Sequence, residues 1–296
     1  MVKVYLKYKV NNDFNPKGWS TASAPYLIFK HVEKHVVKTE EEADIIIYNN
    51  NLLSREDIEK MDYHKSKKNI VIYINDDDKP IVVPNNVLLY RVSQNRRSKR
   101  ENEHAFPWAT PILFKDDQYS TKNKGFDPIY NELSIGFCGA VGNQCSGYKI
   151  RNESVNYFKK SDIKTNFLLR KHFIRRFNNN VQKQFGEIDF TEVIRNNIFQ
   201  LAPRGAGNFS LRFFETMAYG RIPVLPLSDN VLPFEDKIDW ENVIIMANTF
   251  EELESKMKEW YNKGEIFIKE KQVKCKKVWD EYLSMEGFCN QILKDG

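Results

Sequence analysis

The stretch LAPRGAGNFSLRFFETMAYGRIPVLP, Leu201–Pro226, reads as strand, turn, helix and strand in 26 residues. A short apolar run leads into Pro203, which closes it. Leu211, Phe214, Met217 and Ala218 then recur at helical spacing, and Gly220 supplies a stop before the second apolar run. Two buried strands joined by a helix are the unit of a parallel sheet. The turn between them is dense with polar chemistry. Gly205 and Gly207 are expected to take positive φ and let the backbone approach a ligand, while Asn208 or Ser210 caps the helix. A helix start carries unpaired N–H groups and partial positive charge, so it favours an anion. Arg204 and Arg212 add forked donors suited to phosphate oxygens. Positions 212, 215 and 219 share a helix stripe, which puts Glu215 beside Arg212. An acid there suits a ribose diol better than a phosphate. The same residues also permit a surface i,i+3 salt pair of little energetic weight. Neither GxxxxGK[ST] nor GxGxxG occurs, so spacing alone reaches a nucleotide-type anion site and no further.

Outward from this unit the pattern repeats. Strands are expected at 2–8, 44–48, 69–74 and 87–92, with helices at 24–37 and 56–64. After a polar, proline-bearing stretch come a strand at 133–137, a helix at 148–160, a strand near 164–169, helices within 173–195 and a strand at 197–201. A strand at 242–246, a helix at 251–262 and one long helix at 270–293 complete the chain. The expectation is two α/β domains, residues 1–125 and 126–277, with a terminal segment 278–296. In such open sheets ligands sit beyond the carboxyl ends of strands.

Composition sets the outer bounds. The 296 residues are 41% hydrophobic, with 45 basic and 40 acidic side chains, a net charge of +5. That mild excess excludes nothing soluble and does not mark a nucleic-acid binder, although it suits a phosphorylated ligand. Four cysteines without CxxC spacing form no disulfide framework. His31 and His35, four apart, lack the HExxH order, and no metal site is expected. The first ten residues alternate like a strand, and no 18-residue apolar run occurs, so a soluble, cytoplasmic protein without membrane insertion is expected. Nothing here fixes an oligomeric state.

The run from Phe199 to Trp240 resembles the carboxyl-terminal signature of exostosin-type glycosyltransferases. It holds an apolar strand, a PRG turn, a Ser-x-Arg-x-x-Glu helix, a Gly-x-x-Pro-Val strand, and a Pro-Phe and Ile-x-Trp element, in that order. NDDDKP at 75–80, LLYRVS at 88–93, FPW at 106–108 and LSIGFCGAV at 133–141 resemble further segments of the compact bacterial and viral members, including those of algal large DNA viruses that build capsid glycans. The resemblance implies a GT-B architecture: two Rossmann-like domains facing a cleft, with a carboxyl-terminal helix crossing back to the first. It implies an inverting transfer from a UDP-sugar, UDP-xylose foremost, to a glycan hydroxyl, with UDP as product and no cofactor required. Arg204, Arg212 and Ser210 would then hold the diphosphate and Glu215 the ribose. Gly139 would admit the ligand to the backbone, and Arg151 would be a further phosphate contact.

Inverting transfer needs a base for the acceptor hydroxyl and positive charge for the leaving diphosphate. The acids Asp76, Asp77 and Asp78 directly follow the strand NIVIYI, at its carboxyl end. Asp76 or Asp78 is expected as base, with Glu103 and His104 as rivals, and Arg91, Asn102 and Trp108 on the acceptor side. A solvated acidic loop is the plain alternative. Two other functions fit the architecture: a GDP-sugar transferase of the fucosyl type, whose Glu-Asn-Ser and Tyr-x-Thr-Glu-Lys helix is missing, and a nucleotide-sugar or glycan-binding protein without catalysis.

Overall fold

The computed structural model describes residues 2–7, 24–49, 54–75, 77–108, 126–142, 147–171 and 189–294. The first lobe is a parallel sheet of β1 (Val4–Lys7), β2 (Ile45–Asn49), β3 (Lys68–Tyr73), β4 (Val87–Arg91) and β5 (Glu103–Ala105), paired in that order. Helices α1 (Ala24–Val32) and α2 (Arg55–Glu59) connect its early strands. Alternation along the strands sorts their side chains to two faces. Val4, Leu6, Ile45, Ile47, Ile70 and Ile72 meet one core cluster, whereas Ile46, Tyr48, Val71 and Tyr73 meet another. Both faces are buried, which explains why these strands read as continuous apolar runs.

The second lobe holds β6 (Ser134–Ala140), α3 (Tyr148–Phe158), β7 (Lys164–Arg170), β8 (Phe199–Leu201), α4 (Leu211–Ala218), β9 (Ile222–Pro226), β10 (Ile245–Ala247), α5 (Phe250–Asn262) and α6 (Glu265–Val278). A further helical run occupies residues 189–196. Its strands are parallel in the order β10-β9-β8-β6-β7. The chain leaves β6 for β7 on one side and then places β8 on the other. This reversal is a topological switch point, and it opens a crevice at the carboxyl ends of β6 and β8. The turn that follows β8 begins there.

The long terminal helix expected at 270–293 is broken. After α6, Trp279–Leu283 form a π turn closed by the Ser284 N–H donating to Trp279 O (2.7 Å), and Ser284 is extended at φ −63°, ψ 156°. Its hydroxyl then accepts the Gly287 N–H (3.0 Å) and caps α7 (Met285–Lys294). Gly287 is required at the bend, because a Cβ would stand 2.6 Å from Asp280 O. Packing changes at the same place. Val278, Trp279 and Leu283 belong to the second lobe's core, while Met285, Phe288, Cys289 and Ile292 join the first lobe's, beside Ile28 and Val32 of α1. The chain thus has the GT-B type of arrangement: two Rossmann-like lobes and a terminal helix that crosses back. Strand β5 was not expected. Its three residues, EHA, carry one apolar side chain, too few to show a period.

The lobes meet along a polar seam. Asn95 and Asn230 form an antiparallel bridge, the Arg96 N–H donates to Asp229 O (2.7 Å), and the Arg96 guanidinium pairs with Glu235. No described helix is long and apolar enough to cross a membrane.

Candidate functional site

Pro203 ends β8 and the turn closes on itself, with the Gly205 N–H donating to Phe209 O (3.1 Å). Neither Gly205 nor Gly207 has positive φ, contrary to expectation; among described glycines that conformation belongs to Gly142, Gly220 and Gly264. Gly207 sits instead where space is tight. A Cβ on Gly207 would lie 3.0 Å from Ser93 Oγ, across the seam, and 2.8 Å from the Phe209 ring. At Gly205 it would meet Arg151 Nη2 at 3.2 Å. Gly220 does take φ +60° and ends α4 as the spacing suggested.

Arg151 spans the switch-point crevice. Its Nη1 donates to Ala140 O (3.0 Å) at the end of β6, and its Nε to Arg204 O (3.2 Å) after β8. It also lies over the Tyr148 ring at 4.8 Å. These donors buckle the turn to the sheet, a structural use that the phosphate expectation did not include. Gly139 likewise serves packing: a Cβ there would stand 2.8 Å from the Phe137 ring. Arg204 is half-buried and returns Nη2 to Ala206 O (3.2 Å).

On α4 the apolar face is Phe213, Phe214 and Met217, with Leu211 and Ala218 only half-buried, so the helix is rotated from the expected stripe. Arg212 and Glu215 do point the same way and are paired, but the pair is internal: the Glu215 side chain is 0% exposed. Arg212 Nε donates to Cys138 O (2.6 Å) and its guanidinium lies 4.1 Å over the Phe190 ring. Glu215 thus has a structural use that the ribose expectation did not include. Its carboxylate fixes the Arg212 guanidinium against the carboxyl end of β6. Ser210 differs from its neighbours in making no side-chain bond. It stands at the N-cap with extended φ −129°, its side chain makes no cap bond, and its hydroxyl is buried without a hydrogen-bond partner.

The first lobe faces this turn through residues 93–95. The Asn208 N–H donates to Ser93 Oγ (2.7 Å), and Asn208 Nδ2 donates to Gln94 O (3.0 Å) and Asn95 Oδ1 (2.7 Å). These residues extend β4, and β4 pairs with β3 so that Arg91 lies opposite Tyr73. The acidic loop after β3 therefore shares an edge with the turn's docking segment. Asp76 lies outside the described residues. Asp77 accepts the Lys79 N–H on Oδ1 (3.0 Å) and shapes the loop, whereas Asp78 is half-buried.

Arg91 and Glu103 do not line an acceptor surface as expected. Both side chains are 1% exposed and lie 3.7 Å apart. Arg91 donates to Asp77 O (2.6 Å) and Lys79 O (2.9 Å), which pins the acidic loop from beneath. Burial pulls its guanidinium pKa down. His104 sits on β5 instead of a loop, stacked on Tyr90 at 5.2 Å. Trp108 is half-buried and stacks on Phe106 at 6.1 Å. Asn102 donates to Val87 O (2.9 Å), a structural bond.

A cavity of about 640 Å³ opens along the seam, beyond β9 and β10, lined by Arg96, Arg97, Asp229, Glu235, Asp239 and Trp240 among others. Sequence reasoning did not find it. Its lining comes from two lobes with no motif spacing, and none of Arg204, Ser210, Arg212 or Glu215 touches it.

A family model described as the Exostosin GT47 domain matches residues 90–256, more than half of the chain and the whole turn between β8 and α4. The chain belongs to the exostosin GT47 family. Exostosin-1 of Drosophila melanogaster is 41% identical over 66 residues, which cover 22% of this chain and 9% of that protein. The Exostosin-1 homolog of Caenorhabditis elegans is 29% identical over 112 residues, 38% of this chain and 29% of its own length. A rice protein (Oryza sativa subsp. japonica), Probable glucuronosyltransferase GUT1, is 38% identical over 58 residues, 20% of this chain and 14% of its own. This exostosin GT47 chain thus matches less than a third of the length of each of these relatives. Among solved structures, a glycosyltransferase from Rickettsia africae ESF-5 aligns over 99% of this chain and 98% of its own, at 10% identity and a TM-score of 0.44. WaaG, a glycosyltransferase involved in lipopolysaccharide biosynthesis, aligns over 99% of both chains at 8% identity and 0.42.

Proposed function

We propose that this exostosin GT47 chain transfers a sugar from a UDP-sugar to a hydroxyl of a glycan, with inversion at the anomeric carbon. The observation that carries the reading is Ser210: a helix-capping serine whose buried hydroxyl bonds nothing in the protein, at a switch point and between two arginines. An anion at the α4 start would accept from that hydroxyl, from the first-turn N–H groups and from Arg204. Arg212, held in place by Glu215, adds fixed positive charge beside it.

In the reaction a carboxylate takes the proton of the acceptor hydroxyl while its oxygen forms the bond to the anomeric carbon. The bond from that carbon to the diphosphate oxygen breaks, and its electron pair leaves with UDP. Preorganised charge at the turn stabilises the leaving group as it develops. Asp78 is the described acid we assign as base, with Asp76 as the other member of the pair; Asp77 is committed to the loop through Lys79. UDP-xylose is the donor favoured by the resemblance, and the similarity to a probable glucuronosyltransferase of rice adds a glucuronate donor.

The test is donor hydrolysis and thermal shift with UDP-xylose, UDP-galactose, UDP-glucose, UDP-glucuronate and GDP-fucose. One UDP-sugar is expected to be hydrolysed and to stabilise the chain, with GDP-fucose inert. Stabilisation by GDP-fucose alone would move the assignment to the fucosyl type, and stabilisation without turnover to a binding protein.

A further inference from the structure

We infer that Gln94, from the first lobe, is a specificity-determining contact to the hydroxyls of the sugar carried by the donor. The inference rests on the UDP-sugar reading and deepens it. Gln94 is 2% exposed, yet neither its side-chain Nε2 nor its Oε1 has a hydrogen-bond partner. Burying an amide with nothing bound to either end costs stability, and native chains rarely keep such a group without a use for it.

Its position supplies the use. The Gln94 carbonyl accepts from Asn208 Nδ2 at 3.0 Å, so the residue is clamped against the donor turn two positions before Ser210. Ser210, 5% exposed, carries a buried hydroxyl that likewise bonds nothing in the protein. The segment that carries Gln94 and the turn that leads to Ser210 are thus bonded to each other across the seam.

The chemistry of the two groups differs. A diphosphate only accepts, so it satisfies Ser210, Arg204 and the helix N–H groups, but it cannot satisfy an amide oxygen. Gln94 offers two donors and an acceptor together. Its natural complement both gives and takes hydrogen bonds, as neighbouring sugar hydroxyls do. Phosphate is read by the second lobe and sugar by the first, and a mismatched sugar leaves the buried amide unpaired.

Gln94→Met keeps the volume and removes both polar ends. Titrate the wild type and this variant with UDP and with the four UDP-sugars, alongside thermal unfolding of the free chains. The expected result is an affinity for the preferred UDP-sugar lowered by about tenfold or more. UDP affinity should stay within about twofold, and the free variant should be as stable as the wild type or more so. Ser210→Ala should instead weaken UDP and UDP-sugar together. Equal losses of UDP and UDP-sugar in Gln94→Met, or no loss at all, overturn the inference while leaving the UDP-sugar reading intact. A wild type that binds neither UDP nor any UDP-sugar overturns both.

Discussion

Arg212 and Glu215 show how the same two residue types serve different ends according to burial. As an exposed i,i+3 pair they would contribute little; with Glu215 fully buried, the pair is an internal strut between α4 and β6. Removing one partner of such a pair is costly because the other charge stays inside. Arg212→Ala is therefore expected to lower folding stability by about 3 kcal/mol, seen as a fall of several degrees in Tm. A variant with unchanged Tm would contradict the internal strut. The charges on this turn were legible in the sequence because arginines and an acid stand out around glycines. Which of them is spent internally was not, since that depends on Cys138 O and Phe190, both distant in the chain. The same limit hid the Arg91–Glu103 pair. A polar residue in the text does not announce a carbonyl waiting for it 12 or 14 positions upstream.

At the scale of elements, β8–α4–β9 came through intact because its period, its proline and its Gly220 stop all agree. The terminal helix did not, because Trp279–Leu283 keep a helical pattern while the backbone widens into a π turn. Its break depends on Ser284 and Gly287 meeting the Asp280 carbonyl. The turn between β8 and α4 relies on a contact of the same kind. A Cβ on Gly147, just before α3, would stand 1.9 Å from Gly205 O, so backbone would have to move. Gly147→Ala should displace the turn and lower UDP affinity by on the order of tenfold or more, measured by titration, with α3 still helical by circular dichroism. Unchanged affinity would mean that the turn shifts without consequence. Burial within the elements also raises the thiol pKa of Cys138, Cys275 and Cys289. At pH 8 these three should resist a thiol reagent until the chain unfolds. Their labelling in the native chain would contradict the packing of β6, α6 and α7.

For the molecule as a whole, helix α7 and residues 93–97 are among the described connections between the lobes. Helix α7 carries Phe288 and Ile292 into the first lobe's core. Residues 93–97 carry the polar seam to Asn208, Asp229 and Glu235. Deleting residues 285–296 removes four buried core side chains, each worth roughly 1.5–3 kcal/mol on full burial, so the first lobe should unfold at a lower temperature than the second in calorimetry. A single unchanged transition would contradict that role. The two-lobe architecture was legible from alternating elements. The seam was not, because its partners lie more than 100 residues apart.

One titration bears most directly on the account: UDP and uridine, each against the wild type and Arg204→Ala, by calorimetry. A single UDP site is expected, with uridine weaker by about tenfold or more for want of the diphosphate, and a comparable loss of UDP affinity in Arg204→Ala. Equal binding of UDP and uridine, or an Arg204→Ala chain that binds UDP like the wild type, would contradict it.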